Sequence, residues 1–211
     1  MGKRIESAKN PLFSMLKDLH SRKGRDLAGQ FLVEGPKMVA EACKYADCRY
    51  IIVADAYEGA VPSETDAELI SLPERLFDRL CDTKSPQGIA ATVASSTDEP
   101  PWGTLSGLLL LLERVQDPGN VGAMIRTADA AGAAAVFLGE GCADLYAPKV
   151  VRSTMGSLFH LPVLRDVDIL ATLSRCRREG YVIVAGDLAG SERLDETGEK
   201  TALLIGNEGT G

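Results

Sequence analysis

Between residues 108 and 205 short aliphatic runs alternate with stretches of helical spacing, and that alternation leaves few architectures open. Leu108 to Leu112, Ala134 to Leu138, Tyr181 to Ala185 and Ala202 to Ile205 read as strands, too uniformly apolar to keep one face in water. Asn120 to Ala131, closed by Gly132, and Val167 to Glu179, closed by Gly180, read as helices between them. Strands joined through helices of ten or more residues predict right-handed crossovers and a mainly parallel sheet covered on both faces. Ligands of such sheets bind beyond the carboxyl ends of the strands. The loops at 113–120, 186–190 and 206–211 are therefore where function is expected.

Ahead of this region lies Ser95-Ser96-Thr97-Asp98-Glu99-Pro100-Pro101-Trp102-Gly103, whose paired prolines suit neither a helix interior nor a central strand. We expect a first domain at 1–95, a linker at 96–105 and a second domain at 106–211. In the first, Pro11 to Ser21 predicts a helix with Leu12, Met15, Leu16 and Leu19 on one face. Phe31 to Val33, Tyr50 to Val53 and Gly88 to Val93 read as strands, with helices at Lys37 to Tyr45 and Pro73 to Cys81. The fold class expected is α/β, a small α/β domain followed by a mainly parallel α/β domain.

The 211 residues are 45% apolar and 25% charged, a globular composition. No aliphatic run approaches the roughly 20 residues of a membrane-spanning helix, and the basic N-terminus carries no apolar signal segment, so a cytoplasmic location and no membrane partner are expected. Five scattered cysteines without a C-x-x-C pair support neither a disulfide framework nor a zinc site. Net charge is −7, yet residues 1–25 sum to +5, with Lys3, Arg4, Lys9, Lys17, Arg22, Lys23 and Arg25. Local charge rather than net charge governs contact with nucleic acid. A solvated helix face is the plainer account of the same cluster.

Three stretches could carry chemistry. In the first, Glu113 to Ala128, Asp117-Pro118-Gly119 forms a turn, Asn120 is of a residue type that caps helices, and Val121, Ile125 and Ala128 share a face away from Arg126. Asn120 and Arg126 are then either a cap and a solvated charge, or an anion site at a helix start with a guanidinium for an RNA phosphate. In the second, Ala147 to Pro162 gathers Lys149, Arg152, three hydroxyl groups and Gly156, with His160 in an apolar setting that favours a structural role. The third, Gly206-Asn207-Glu208-Gly209-Thr210-Gly211, lacks the Gly-Lys-Ser/Thr of a P-loop and opens no G-x-G-x-x-G helix. Its glycines let backbone groups approach a ligand closely, or form a surface turn.

In this order and spacing the three stretches resemble the signature of the SpoU/TrmH family of RNA ribose 2′-O-methyltransferases, within the SPOUT superfamily. Asn120-Val121-Gly122 through Arg126-Thr127-Ala128 is similar to its first motif, Lys149 to Ser153 with Gly156 and Phe159 to Pro162 to its intervening segment, and Gly206-Asn207-Glu208-Gly209 with Gly211 to its second. Ile5-Glu6-Ser7, Asn10-Pro11, Arg22-Lys23 with Arg25, Phe31 to Gly35 and Ser85 to Ile89 resemble the substrate-binding domain that precedes it. The resemblance implies S-adenosyl-L-methionine as cofactor, no metal, and an RNA partner, ribosomal RNA favoured over transfer RNA. It assigns catalytic roles to Asn120, Arg126 and Glu208, and cofactor contacts to Gly186, Leu188, Gly206, Asn207 and Gly209. It assigns RNA contacts to Lys9, Arg22, Lys23, Arg25 and Arg152, and implies a homodimer in the complete protein. A guanidinium is a poor base, so Arg126 is expected to orient the ribose and stabilise developing alkoxide charge, with the proton acceptor left open.

The family pattern continues past the second motif into an Ile-Pro-Met and Ser-Leu-Asn segment that completes a trefoil knot. Nothing here corresponds to it, so the sequence predicts a C-terminally incomplete methyltransferase domain, inactive as it stands. The alternatives are an RNA-binding module that has lost catalysis, and a nucleotide-binding α/β protein using Gly139-Glu140-Gly141.

Overall fold

A computed structural model describes residues 2–96, 99–100, 102–187, 190 and 199–207. The chain divides into two compact units, one of residues 1–95 with 146–159 and one of 96–145 with 160–211.

The first unit holds β1 (Lys3–Arg4), α1 (Pro11–Asp18), α2 (Arg22–Ala28), β2 (Gln30–Glu34), α3 (Pro36–Tyr45), β3 (Cys48–Ala54), β4 (Glu68–Leu72), α4 (Glu74–Leu80), β5 (Ile89–Ala94) and α6 (Pro148–Ser153). Its sheet runs β1-β4-β3-β5-β2, parallel from β1 to β3 and antiparallel from β3 to β2. Ile5, Phe13, Leu16, Ile52, Ile70, Leu72 and Phe77 form its core, each 1% exposed or less.

The helix expected over Pro11 to Ser21 ends at Asp18, and a second begins at Arg22. Ser21 is the reason, since its hydroxyl accepts from the Gly24 N–H at 3.0 Å and caps the new helix. Segment 146–159 also differs from expectation, because it belongs to the first unit rather than the second. Tyr146 stacks on Phe31 at 4.4 Å between centroids, and Phe159 lies in stacked orientation 6.4 Å from the same ring.

The second unit is built from β6 (Gly107–Leu112), α5 (Pro118–Ala130), β7 (Ala135–Gly139), β8 (Val163–Val167), α7 (Ile169–Arg178), β9 (Val182–Ala185) and β10 (Lys200–Ile205). Every pairing in its sheet, ordered β8-β7-β6-β10-β9, is parallel. Leu109, Leu111 and Leu112 of β6 are fully buried, as are Ala135 and Val136 of β7, as the uniformly apolar runs require. The expected linker is not free chain throughout. Trp102 is 6% exposed and stacks on Phe137 at 5.2 Å, with the Arg175 guanidinium 4.5 Å from its ring centre, so the end of that stretch seals the second core. The described cysteines are all free thiols, and burial pushes each above its ordinary pKa, Cys48 to about 12.

Candidate active site at the carboxyl edge of the second sheet

Strands β6, β10 and β9 are neighbours in the sheet, with Leu112 opposite Ile205 and Leu204 opposite Ala185. The ladder continues past the strand ends, the Glu113 N–H donating to the Ile205 carbonyl and the Gly186 N–H to the Leu204 carbonyl, both at 2.9 Å. The loops opening at Glu113, Gly186 and Gly206 therefore leave from one edge. From β6 the chain winds outward to β7 and β8, then crosses to β9 and returns to β10. Between β6 and β10 the direction of winding reverses, the crevice where ligands bind in open parallel sheets.

Helix α5 rises from this edge. Its cap is Asp117, whose side chain accepts from the Asn120 N–H at 2.9 Å. The sequence suggested Asn120 for that task, but Pro118, with its fixed φ and missing N–H, is suited to the first helical position and makes the residue before it the cap. Asn120 instead sits half-buried in the first turn. Val121 and Ile125 are fully buried and Ala128 is 4% exposed, so Arg126 is turned outward. Among the described residues its guanidinium forms no hydrogen bond or ion pair.

One further cation at this edge escaped sequence reasoning. Arg114, between β6 and α5, holds a left-handed φ of 52°, unusual for a residue with a side chain. Its loop is tied to the loop after β7 by the Ala143 N–H donating to the Val115 carbonyl at 2.9 Å. Gly141, in the loop after β7, holds a φ of 86° and packs beside the Arg114 stem.

Gly186, Gly206 and Asn207 lie on adjacent strand ends, while Leu188, Glu208 and Gly209 lie outside the described residues. The position of a Gly186 Cβ is 3.5 Å from the Ile205 Cδ1 and 3.8 Å from the Leu204 carbonyl oxygen. A ligand lying against Gly186 would therefore meet backbone and the Ile205 side chain. No group of His, Cys, Asp or Glu able to hold a metal ion occurs among the described residues.

The residues expected to touch RNA all lie in the first unit. Lys9 and Lys23 are exposed, and Arg22 is exposed with Asp26 3.7 Å away. Arg152 is ion-paired with Asp82 at 2.8 Å. Arg25 must be reassigned. It is 4% exposed and donates to the Leu19 carbonyl at 2.7 Å and the His20 carbonyl at 3.0 Å, tying the end of α1 to α2. Arg25→Ala strands the buried Leu19 carbonyl and the partly buried His20 carbonyl, and should destabilise the protein by about 1–3 kcal/mol. A thermal melt checks this, and an unchanged midpoint with weakened RNA binding would restore the surface role. His160 also has a structural partner, its Nδ1 lying 2.8 Å from the Asp129 carboxylate in the second unit.

The comparisons with known proteins agree with this geometry. Residues 107–211 match the SpoU rRNA Methylase family, and residues 10–91 match the MRM3-like substrate binding domain. The 23S rRNA (guanosine(2553)-2′-O)-methyltransferase RlmP of Bacillus subtilis is 39% identical, over 99% of this chain and 84% of its own. An AdoMet-bound rRNA methyltransferase from Sinorhizobium meliloti superposes with a TM-score of 0.86 at 28% identity, over 99% of this chain and 82% of that one. The SpoU methyltransferase AviRb from Streptomyces viridochromogenes, also in complex with AdoMet, gives 0.82 at 28% identity, over 96% and 83%.

Proposed function

We propose a ribosomal substrate for this chain, which belongs to the SpoU rRNA methylase family and is therefore an S-adenosylmethionine-dependent RNA 2′-O-methyltransferase. Support for ribosomal over transfer RNA comes from RlmP and the Sinorhizobium meliloti enzyme, each an rRNA methyltransferase. The observation that carries the catalytic assignment is Arg126, an exposed guanidinium on the helix that leaves the β6 edge, held outward by the burial of Val121 and Ile125.

The cofactor, when bound, supplies an electrophilic methyl group on sulfur. Gly186, Gly206 and Asn207 would hold it through backbone groups at the ends of β9 and β10, with Leu188 and Gly209 assigned to the same role by resemblance. Arg126 draws in the phosphate beside the target ribose and orients its 2′-hydroxyl, while Asn120 offers an amide in the same helix. Arg126 would stabilise the negative charge that develops on the ribose oxygen as its proton leaves. Glu208 stands by resemblance as an orienting group or proton acceptor. Lys9, Arg22 and Lys23 form the exposed cationic part of the RNA platform. A homodimer belongs to the same reading and is checked by light scattering.

The test is transfer of labelled methyl groups from S-adenosylmethionine to deproteinised ribosomal RNA from a strain lacking the gene. One 2′-O-methyl position should appear in ribosomal RNA and none in transfer RNA. Labelling of transfer RNA alone would overturn the ribosomal assignment.

A further inference from the structure

We propose that a cleft in the first unit, between the turn leading into α1 and the outer side of α4, is a phosphodiester-binding subsite for RNA. Glu6, Ser7 and Ala8 form one wall and Arg75, Leu76 and Arg79 the other, around a cavity of about 180 Å³.

Local folding fixes both walls. Ile5 is anchored in the core, 1% exposed, and the chain then turns sharply, the Asn10 N–H donating to the Ser7 carbonyl at 3.1 Å and the Lys9 N–H to the Ser7 hydroxyl at 3.2 Å. On α4, Leu76, Phe77 and Leu80 are buried, which leaves Arg75 and Arg79, four residues apart, side by side and exposed. The Arg75 Nη2 reaches the Glu6 carbonyl at 3.4 Å, a long contact that directs the guanidinium across the cleft. Lys17 donates to the Arg79 carbonyl and adds a third cation nearby. The carboxylate on the rim, Glu6, is engaged by Arg4 at 3.1 Å, and Arg4 also forks onto Asp55 at 3.0 and 2.7 Å.

Size and charge together select the ligand. A volume of about 180 Å³ is below the roughly 300 Å³ at which small-molecule sites begin. It admits a phosphate group but not a whole nucleotide. Two adjacent guanidinium groups match phosphate oxygens in geometry and charge, and a chain of net charge −7 needs such local patches to meet a polyanion. The subsite rests on the RNA methyltransferase reading, because that reaction brings a phosphodiester chain to this protein.

The test compares wild type with Arg75→Ala/Arg79→Ala and Arg75→Lys/Arg79→Lys, using deproteinised ribosomal RNA and total transfer RNA as probes across a salt series. The alanine pair should weaken binding of ribosomal RNA about 10- to 100-fold at 0.1 M salt and flatten the salt slope by roughly 0.7 to 1.4, one or two phosphate contacts. It should raise KM for RNA with kcat and the thermal midpoint unchanged, and the lysine pair should keep most of the salt slope. Wild-type affinity and slope in the alanine pair would overturn the subsite, as would wild-type protein that binds neither RNA. If instead only transfer RNA binds and shows the same loss, the subsite holds and the ribosomal assignment fails.

Discussion

Arg126→Ala lowers the single-turnover rate of methylation by about 10²- to 10³-fold, the cost of deleting one preorganised donor to a developing oxyanion, while the affinity for S-adenosylmethionine stays within about twofold of wild type by calorimetry. Two structural facts separate these readouts. Arg126 projects from the solvent side of α5, whereas the described groups assigned to the cofactor are at the ends of β9 and β10. Its removal leaves the buried residues of the helix untouched, since Val121 and Ile125 carry the packing. Arg126→Lys should recover little, because a point charge cannot hold a phosphate oxygen and a ribose hydroxyl with one planar fork. A variant methylating at the wild-type rate under single-turnover conditions would remove Arg126 from the site.

Gly24→Ala should be the more damaging change to stability, through one methyl group. A Cβ at that position would lie 2.0 Å from the Asp18 carbonyl oxygen and 2.5 Å from its carbon, so the elbow between α1 and α2 has to open. Opening it also pulls the buried Arg25 from the Leu19 and His20 carbonyls. We expect a loss of about 3 kcal/mol or more, a fall in thermal midpoint of roughly 6–12 °C at this chain length. Gly29→Ala is the control, a residue at φ 62° with open space around it. Backbone strain alone should cost it about 1 kcal/mol. Equal melting of the two variants would show that the elbow yields without cost.

The parallel sheet was legible because burial on both faces forces continuous apolar composition, and Leu108 to Leu112 has no other stable use. The carboxyl-edge loops followed from topology before any geometry was known. Helix α2 was not legible, since Arg-Lys-Gly-Arg-Asp-Leu-Ala has no apolar period and a glycine inside it. It persists through its Ser21 cap and the buried Arg25. That arginine shows the limit of counting charge, because sequence records that a cation is present and not which way it faces. Strand β4 escaped for a similar reason, being five residues long with a glutamate at its start. The sequence suggests Asn120 as the cap of α5 because Asp117 reads as part of the turn, and the place of Pro118 at the first helical position moves the cap to Asp117.

The three stacked rings of Phe31, Tyr146 and Phe159 have a consequence for how this protein is made. Phe31 is 2% exposed, yet two of its aromatic neighbours lie more than a hundred residues later in the chain. A nascent chain emerging from the ribosome can pair β2 with β5 once residue 94 is out, but it cannot cover Phe31 in the native way until residue 159 follows. The first unit is thus finished after much of the second has been synthesised. Residues 1–95 made alone would carry an exposed aromatic ring where the whole protein has a stacked one.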